Sequence, residues 1–462
     1  MAIVNTHFGA EEIARKLENK KSVYFLGIGG ITMSSLAHVT HLHGFKVGGS
    51  DRTLSPLTAR LAAEGIEIFE GHRREQLDGY DALVYTVAVS EDTPELVYAR
   101  ERGIPVISRS DYLGYLMRSY TRRIGLSGMH GKSTATSMTT EIFLAANADP
   151  TVISGAELSS IAGAYRLGGK ENFIFESCEY MDSFLDFYPT VAVVLNIEMD
   201  HVDYFKDLDQ IKRSYRAYID KTRGCGCAVL NADDENVMDM AKDFRGSTLT
   251  FGIYKEADIM AKNIVCENGV LTFDICHGSM KKHVTMSVCG EHIVYNALAA
   301  AACAILCGIP SQHIATGLGN FHGAKRRMDY KGELCGAKVY DDYAHHPTEI
   351  RATLKAAKQM GFDRVLCVFQ PHTYSRTKGL YNDFVEALRL ADVTVMADIY
   401  AARETDTLGV SSEQLAKDIG NGALYFDSFA KIADWLKANA REGDMILTMG
   451  AGNITNLSKE LF

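Results

Sequence analysis

Gly128-Met129-His130-Gly131-Lys132-Ser133 follows the apolar run Arg122–Ser127 and precedes a helical pattern. Glycines and a Gly-Lys-Ser triplet between a strand and a helix impose a parallel α/β unit with bare N–H groups at a helix start. The common phosphate loop reads G-x-x-x-x-G-K-[ST] and would need glycine at 126, where Leu126 stands between Gly125 and Gly128. The loop here is therefore a shorter version. Glycine lets backbone approach phosphate oxygens, Lys132 can contact the terminal phosphates, and Ser133 Oγ can ligate Mg²⁺. The competing reading is plain helix capping by Ser133 with Lys132 in solvent. The strand before the loop and the triplet itself favour phosphate.

The rest of the chain repeats the same grammar. "SVYFLGIGGITMSSLAHVTHLHGFKVGGSD" reads as strand, glycine turn, helix and strand, and "DALVYTVAV" and "IPVIS" add further strand runs. A second unit starts at "RRIGLSG" and continues through "NFIFES", "PTVAVVLNI" and "CAVLNA", with a helix in "GEHIVYNALAAAACAILCGI". A third holds "GAKVYDDYAHHP", "RVLCVFQPH", "VTVMADIY" and "DMILTMGAGN". Three α/β domains are expected, 1–120, 121–322 and 323–462, in a chain of 462 residues. Seven polar clusters sit where strand runs stop, which suggests one composite site.

A net charge of −10 argues against nucleic acid or a membrane surface as a general partner. No run approaches a membrane span and the N-terminal stretch has no apolar signal core, so the chain is read as cytoplasmic. Ten cysteines without a C-x-x-C pair are read as reduced thiols rather than a disulfide or zinc framework.

Gly27-Ile28-Gly29-Gly30-Ile31-Thr32 resembles G-x-G-x-x-G, with Thr32 in place of the third glycine. It suits a diphosphate, either of a dinucleotide or of a nucleotide sugar, and Asp51 ends the next strand within reach of a ribose hydroxyl. A tight turn that merely needs glycine is the bland alternative. Histidines 38, 41 and 43 are read as scattered structural residues rather than a metal set.

A Mg–ATP site needs hard oxygen ligands besides phosphate. Glu176, Asp200 and His201 follow strand runs, with Glu179, Asp182 and Asp203 near in sequence. Each alone is better read as a solvated carboxylate or an ordinary histidine; beside a phosphate loop they gain weight. In the third domain, an arginine of Lys325-Arg326-Arg327 is placed to stabilise phosphate charge, unless this is a basic surface turn. Arg376 is placed to hold a carboxylate in two-point fashion, and His345, His346 and His372 to move protons.

Taken together, "GIGGITMSSLA", "GMHGKST", "NIEMDHVDYF", "AKRRMDYKG", "DDYAHHPTEI", "FQPHTYSRT" and "GAGNI" make the chain resemble the Mur ligases over nearly its full length. The resemblance implies a Rossmann-like first domain, a central phosphate-loop ATPase domain and a Rossmann-like third domain. It implies UDP-N-acetylmuramate, L-alanine and ATP as substrates, Mg²⁺ (with Mn²⁺ as an alternative) as cofactor, and a monomer or homodimer. Gly27, Gly29, Gly30, Ile31, Asp51 and His72 would bind the UDP-sugar. Gly128, Met129, His130, Gly131, Lys132, Ser133, Asn296, Arg327 and Asp342 would bind ATP. Ser133, Glu176 and His201 would hold the metal. Tyr343, His345, His372 and Arg376 would surround the amino acid, and Lys132, Glu176, His201, Arg327, His345 and His346 would form the catalytic set. An attached recycled peptide in place of alanine is the alternative inside the family. Outside it stand an NAD-dependent dehydrogenase and a nucleotide sensor without turnover.

The chain departs from the family pattern at several places. Met129 stands for a usual Thr, Ser133 for Thr, and Thr373 for a frequent Arg; Cys178 and Tyr180 remove acidic or polar groups from an E-A-D-E-S-D run. The largest departure is Ile293, where His292-Ile293-Val294-Tyr295-Asn296 replaces H-N-x-x-N and an adenine-pairing amide is lost. Relaxed adenine selectivity, or a raised ATP KM, is expected. Ile219 stands at the place of a carbamylated lysine found in some relatives, so none is expected here.

Overall fold

The computed structural model describes residues 4–201, 204–267, 269–323, 325–402 and 404–462. The chain forms two compact units, 1–197 with 211–249, and 198–210 with 250–462.

In the first unit, the apolar runs fold as parallel strands covered on both faces, which is why they read as continuous rather than alternating. Five of them stand in the order Glu67–Glu70, Lys46–Asp51, Ser22–Leu26, Ala82–Tyr85, Val106–Ser108. The chain's first strand is the central one, so strand order reverses on either side of it and opens a crevice at its carboxyl end. The Gly27–Gly30 loop starts there, ahead of helix Ile31–Leu42.

A second group stands in the order Cys227–Asn231, Val191–Val194, Arg122–Ser127, Asn172–Glu176, Thr151–Leu158, Gly163–Arg166. The last strand is antiparallel to Thr151–Leu158 and the others are parallel. Register aligns Ser127 with Val194 and Leu126 with Glu176. The phosphate loop, Glu176 and the segment after Val194 therefore emerge at one end of the sheet.

In the second unit, Ile259–Glu267, Val270–His277 and Met280–Met286 form an antiparallel meander beside helices Glu291–Leu306 and Ser311–Asn320. A six-stranded sheet has the order Asp329–Leu334, Ala337–Asp342, Asp444–Met449, Arg364–Phe369, Val393–Met396, Leu424–Tyr425. Its first strand is antiparallel to the second, and the rest are parallel. Val365, Cys367 and Phe369 pack into one core, Leu366 and Val368 into the other, as period-two alternation requires.

The cysteine expectation is corrected. Cys266 and Cys289 form a disulfide with Cα atoms 6.0 Å apart, while eight cysteines stay outside disulfides. The fold brings the end of strand Ile259–Glu267 to the segment before helix Glu291–Leu306, a proximity that a separation of 23 residues does not announce.

Candidate active site

The phosphate loop is held by its neighbours rather than by capping. Gly131 has φ +85° and stands before helix Lys132–Ala145, so Ser133 is inside the helix and does not cap it. Gly128 has φ +145°, and a Cβ there would meet Leu195 at 2.9 Å, so only glycine fits. Asn196 clamps the crest of the loop: its Oδ1 accepts from His130 N at 2.8 Å and its Nδ2 donates to His130 O at 3.0 Å. In the sequence Asn196 stands only as the first residue of "NIEMDHVDYF", with no role assigned to it. Met129 is buried, at 6% exposure, and donates its N–H to Asn196 O.

Lys132 is not solvated. Its Nζ donates to Gly128 O at 2.6 Å and to Glu179 Oε2 at 3.0 Å. Burial opposes the ammonium, but Glu179 outweighs it and the Lys132 pKa is raised, so the charge is secure. Ser133 Oγ donates to Glu176 Oε2 at 3.1 Å, and Glu176 Oε1 accepts from Gly155 N at 2.7 Å and Ser154 Oγ at 2.9 Å. A Cβ at Gly155 would stand 2.8 Å from Glu176 Oε2, so this close approach needs glycine. A hydroxyl and a fixed carboxylate side by side are hard oxygen donors, the set that suits Mg²⁺. Ser133 and Glu176 are thus brought together in the first unit. Asp182 accepts from Ser214 Oγ, and Asp203 lies outside the described residues.

The first glycine loop is built as a tight cradle. Gly27 has φ +85°, Gly27 N and Ile28 N both donate to Ser50 O at 2.8 and 3.0 Å, and Gly29 N donates to Asp51 Oδ2 at 2.8 Å. Asp51 therefore braces the loop itself. Ile31 opens the following helix and is 38% exposed at the mouth. His72 Nδ1 lies 3.1 Å from the fully buried Glu95, which also accepts from Ser50 Oγ at 2.7 Å. His38 contacts Tyr165 and Glu64, in keeping with a structural role.

The remaining candidates belong to the second unit. Asp200 Oδ1 accepts from Arg376 Nε and Nη2 at 3.2 and 3.1 Å, and Arg376 Nη1 donates to His372 Nδ1 at 3.2 Å. Burial would raise the Asp200 carboxyl, but His201 and Arg376 hold it well below the carboxylate range. His345 rests 6.0 Å from the His372 ring, and burial pulls both imidazoles down to about 4. His346 Nδ1 lies 3.7 Å from Glu198 Oε2. His201 has φ +50°, and Thr373, between His372 and Arg376, has φ +66°. A β-branched residue there is strained backbone of the kind functional loops retain.

Of the basic triplet, Arg326 is structural: it donates to Gly450 O at 2.6 Å and pairs with Asp341 at 3.4 Å. Arg327 lies over the Tyr343 ring at 5.3 Å and 3.6 Å from Glu349. Asp342 is buried, accepts from Met328 N and Ala344 N at 2.9 and 2.8 Å, and is raised to about 6 by burial, partly offset by Arg327. Asn296 and Ile293 are both buried on helix Glu291–Leu306, at 4% and 7% exposure.

A braced phosphate loop, a serine–carboxylate pair and a carboxylate–arginine–histidine cluster on α/β units define a nucleotide-dependent enzyme of the phosphate-loop class. The Mur ligase family models match in series: the family catalytic domain over residues 22–121, the middle domain over 126–304 and the glutamate ligase domain over 326–452. The chain belongs to the Mur ligase family. It is 45% identical to a UDP-N-acetylmuramate–L-alanine ligase of Clostridium novyi over 95% of this chain and 96% of that one. The like-named protein of Agathobacter rectalis is 44% identical over 95% and 97%. A crystal structure of a UDP-N-acetylmuramate–alanine ligase from Thermotoga maritima superposes with a TM-score of 0.80, at 26% identity over 95% of this chain and 98% of that one.

Proposed function

We propose that this protein is an ATP-dependent amide ligase that joins L-alanine to UDP-N-acetylmuramate through an acyl phosphate, releasing ADP and phosphate, in peptidoglycan precursor synthesis. The observation that carries the reading is the coexistence of a braced phosphate loop with an Arg376–Asp200–His372 cluster suited to a small zwitterion.

The geometry supports a division of labour. Residues 1–120 take the UDP-sugar, 121–322 the ATP and 323–462 the amino acid with part of the ATP. Gly27, Gly29, Gly30 and Ile31 line the diphosphate at the helix start, with Asp51 bracing the loop and His72 as a side-chain partner. Gly128, Met129, His130 and Gly131 line the ATP phosphates, with Asn196 fixing the loop, and Asn296 and Asp342 bind the rest of the ATP. Ser133 and Glu176 would hold Mg²⁺, or Mn²⁺ in its place, with His201 carried over from the family pattern as a further ligand. The metal supplies charge neutralisation at the phosphate oxygens.

A carboxylate is unreactive toward an amine because its leaving group is poor. Transfer of the γ-phosphoryl group to the lactyl carboxylate removes that barrier; the amine of alanine then attacks the acyl carbon and phosphate leaves. Lys132 and Arg327 stabilise charge on the transferring group. Arg376 binds the alanine carboxylate beside Tyr343. His345, His346 and His372 are the groups near which the amine loses its proton, and His345 and His372 are neutral at pH 7, as acceptance requires. The protein works in the cytoplasm, as a monomer or homodimer, without nucleic acid or membrane partners.

Phosphate release with Mg–ATP, UDP-N-acetylmuramate and L-alanine, omitting one component at a time, tests the reading. Release that needs all three, with an amide product by mass, is expected. Release with a recycled peptide but not with alanine would redirect the assignment to the amino donor.

A further inference from the structure

One basic side chain in the first unit is left unused by the site as described. Arg109 opens helix Arg109–Met117, directly after the edge strand Val106–Ser108. Among the described residues, nothing hydrogen-bonds to or ion-pairs with its guanidinium; the groups within electrostatic reach are Cys178 and Asp186. Asp186 is the one carboxylate of the two, and it is shared with other groups. Asp186 Oδ1 lies 2.6 Å from His7 Nδ1, and Asp186 Oδ2 accepts from Ser110 Oγ at 2.5 Å. A half-buried guanidinium that makes no hydrogen bond among the described residues, and whose nearby carboxylate is shared with two other groups, keeps its donors for a further anion. The start of a nine-residue helix adds its own partial positive charge, and Ser108 makes no side-chain cap.

Its place in the sheet says which anion. Val106–Ser108 is two strands from Ser22–Leu26, with Ala82–Tyr85 between them. At about 4.8 Å per strand, the start of the Arg109 helix lies about 10 Å along the sheet end from the Gly27–Gly30 cradle. On its other side, Cys178 is the chain neighbour of Glu179, the partner of Lys132 at 3.0 Å. A nucleotide sugar with its diphosphate on the glycine cradle carries its ether-linked carboxylate one hexose ring further on, a span comparable to that separation.

We propose that Arg109 binds the lactyl carboxylate of the sugar-nucleotide substrate and holds it toward the phosphate loop. The proposal rests on the ligase reading above. Two parallel N–H donors of a guanidinium match the two carboxylate oxygens. They also offset the repulsion the carboxylate meets as it nears a phosphate.

Calorimetric titration of UDP-N-acetylmuramate and of UDP-N-acetylglucosamine, which lacks the carboxylate, is made on the full chain and on Arg109→Met and Arg109→Lys. Arg109→Met weakens UDP-N-acetylmuramate about tenfold to a hundredfold and leaves UDP-N-acetylglucosamine within about twofold. Arg109→Lys keeps the charge without the two-point geometry and recovers part of the loss. Thermal unfolding of the unliganded Arg109→Met variant stays near the wild-type midpoint, because no hydrogen bond or close ion pair to the guanidinium is lost. Equal weakening of both sugar nucleotides would assign Arg109 to the diphosphate and overturn the proposal, as would a lower midpoint with both affinities unchanged. These titrations need no turnover. Failure of wild-type turnover with normal Arg109-dependent binding would count against the ligase reading alone.

Discussion

Lys132 Nζ stands 3.0 Å from Glu179 Oε2, and the Glu179 side chain is fully buried. The phosphate-loop lysine is thus paired with an internal carboxylate. Removing one partner of such a pair leaves a charge without compensation, so Glu179→Gln is expected to cost about 3–5 kcal/mol of unfolding free energy. The same change spares ATP one negative charge and frees Lys132 from a competitor. Denaturant unfolding and nucleotide titration are therefore expected to move in opposite directions, lower stability with tighter ATP. Weaker ATP binding would mean that Glu179 aims Lys132 at the phosphates instead of competing with them.

Asp200 makes the corresponding test in the second unit. Its contact with Arg376 joins side chains only 8% and 12% exposed. If Arg376 grips the alanine carboxylate, Asp200→Asn loosens that grip and raises the alanine KM about tenfold or more, with ATP KM within about twofold. Arg376→Ala is expected to raise it further, and the two changes to be less than additive because they break one contact. A raised ATP KM with an unchanged alanine KM would place Asp200 with the metal ligands.

Buried titratable groups set how the fold responds to acid. Burial lowers His292, His345 and His372 to about 4 from 6.5. The unfolded chain binds more protons at these sites between those values, so each contributes stability that is lost as pH falls from about 6.5 to 4. Asp342 acts oppositely: raised to about 6 from 3.8, its carboxyl binds its proton more readily in the fold, and its contribution fades as pH rises through that window. Three groups against one give a net loss toward acid. Equilibrium unfolding across that range is expected to show a shallower loss in His292→Gln and a steeper one in Asp342→Asn.

The fold was legible where burial on both faces leaves an unbroken apolar run. Arg122–Ser127 and Val191–Val194 are such strands, and the glycine loops announce themselves because backbone near phosphate tolerates little else. The meander of Ile259–Glu267, Val270–His277 and Met280–Met286 went unread. Its first strand runs through four consecutive exposed residues, Lys262 to Val265, so neither an apolar run nor an alternation marks it. The Cys266–Cys289 bond is a contact of that meander and was hidden with it. In the site, residues with their own motif stand out in the sequence, whereas Gly155 and Arg109 lie outside every motif and meet the site only through proximity created by strand register. "ISRSDY" carries no signature of an anion site until the sheet order places it beside the glycine cradle.

Ile293 offers the sharpest test of nucleotide selectivity. It lies in the first turn of helix Glu291–Leu306, three residues before Asn296, and both side chains are buried. Positions i and i+3 share a helix face, so an amide at 293 would lie on the same side as Asn296, the residue proposed to bind ATP. Ile293→Asn is expected to lower the ATP KM and to raise the preference for ATP over GTP in phosphate release. Burying an amide in place of an apolar side chain carries a cost of about 1–3 kcal/mol when nothing pairs with it. The unliganded variant is therefore expected to melt lower than wild type and to regain more on ATP binding. Ile293→Leu, which keeps the site apolar, separates the two effects: its ATP and GTP constants are expected to stay near wild type. Unchanged nucleotide preference in Ile293→Asn, with the same loss of melting temperature, would show that backbone groups already read the adenine and that Ile293 serves only to pack the helix.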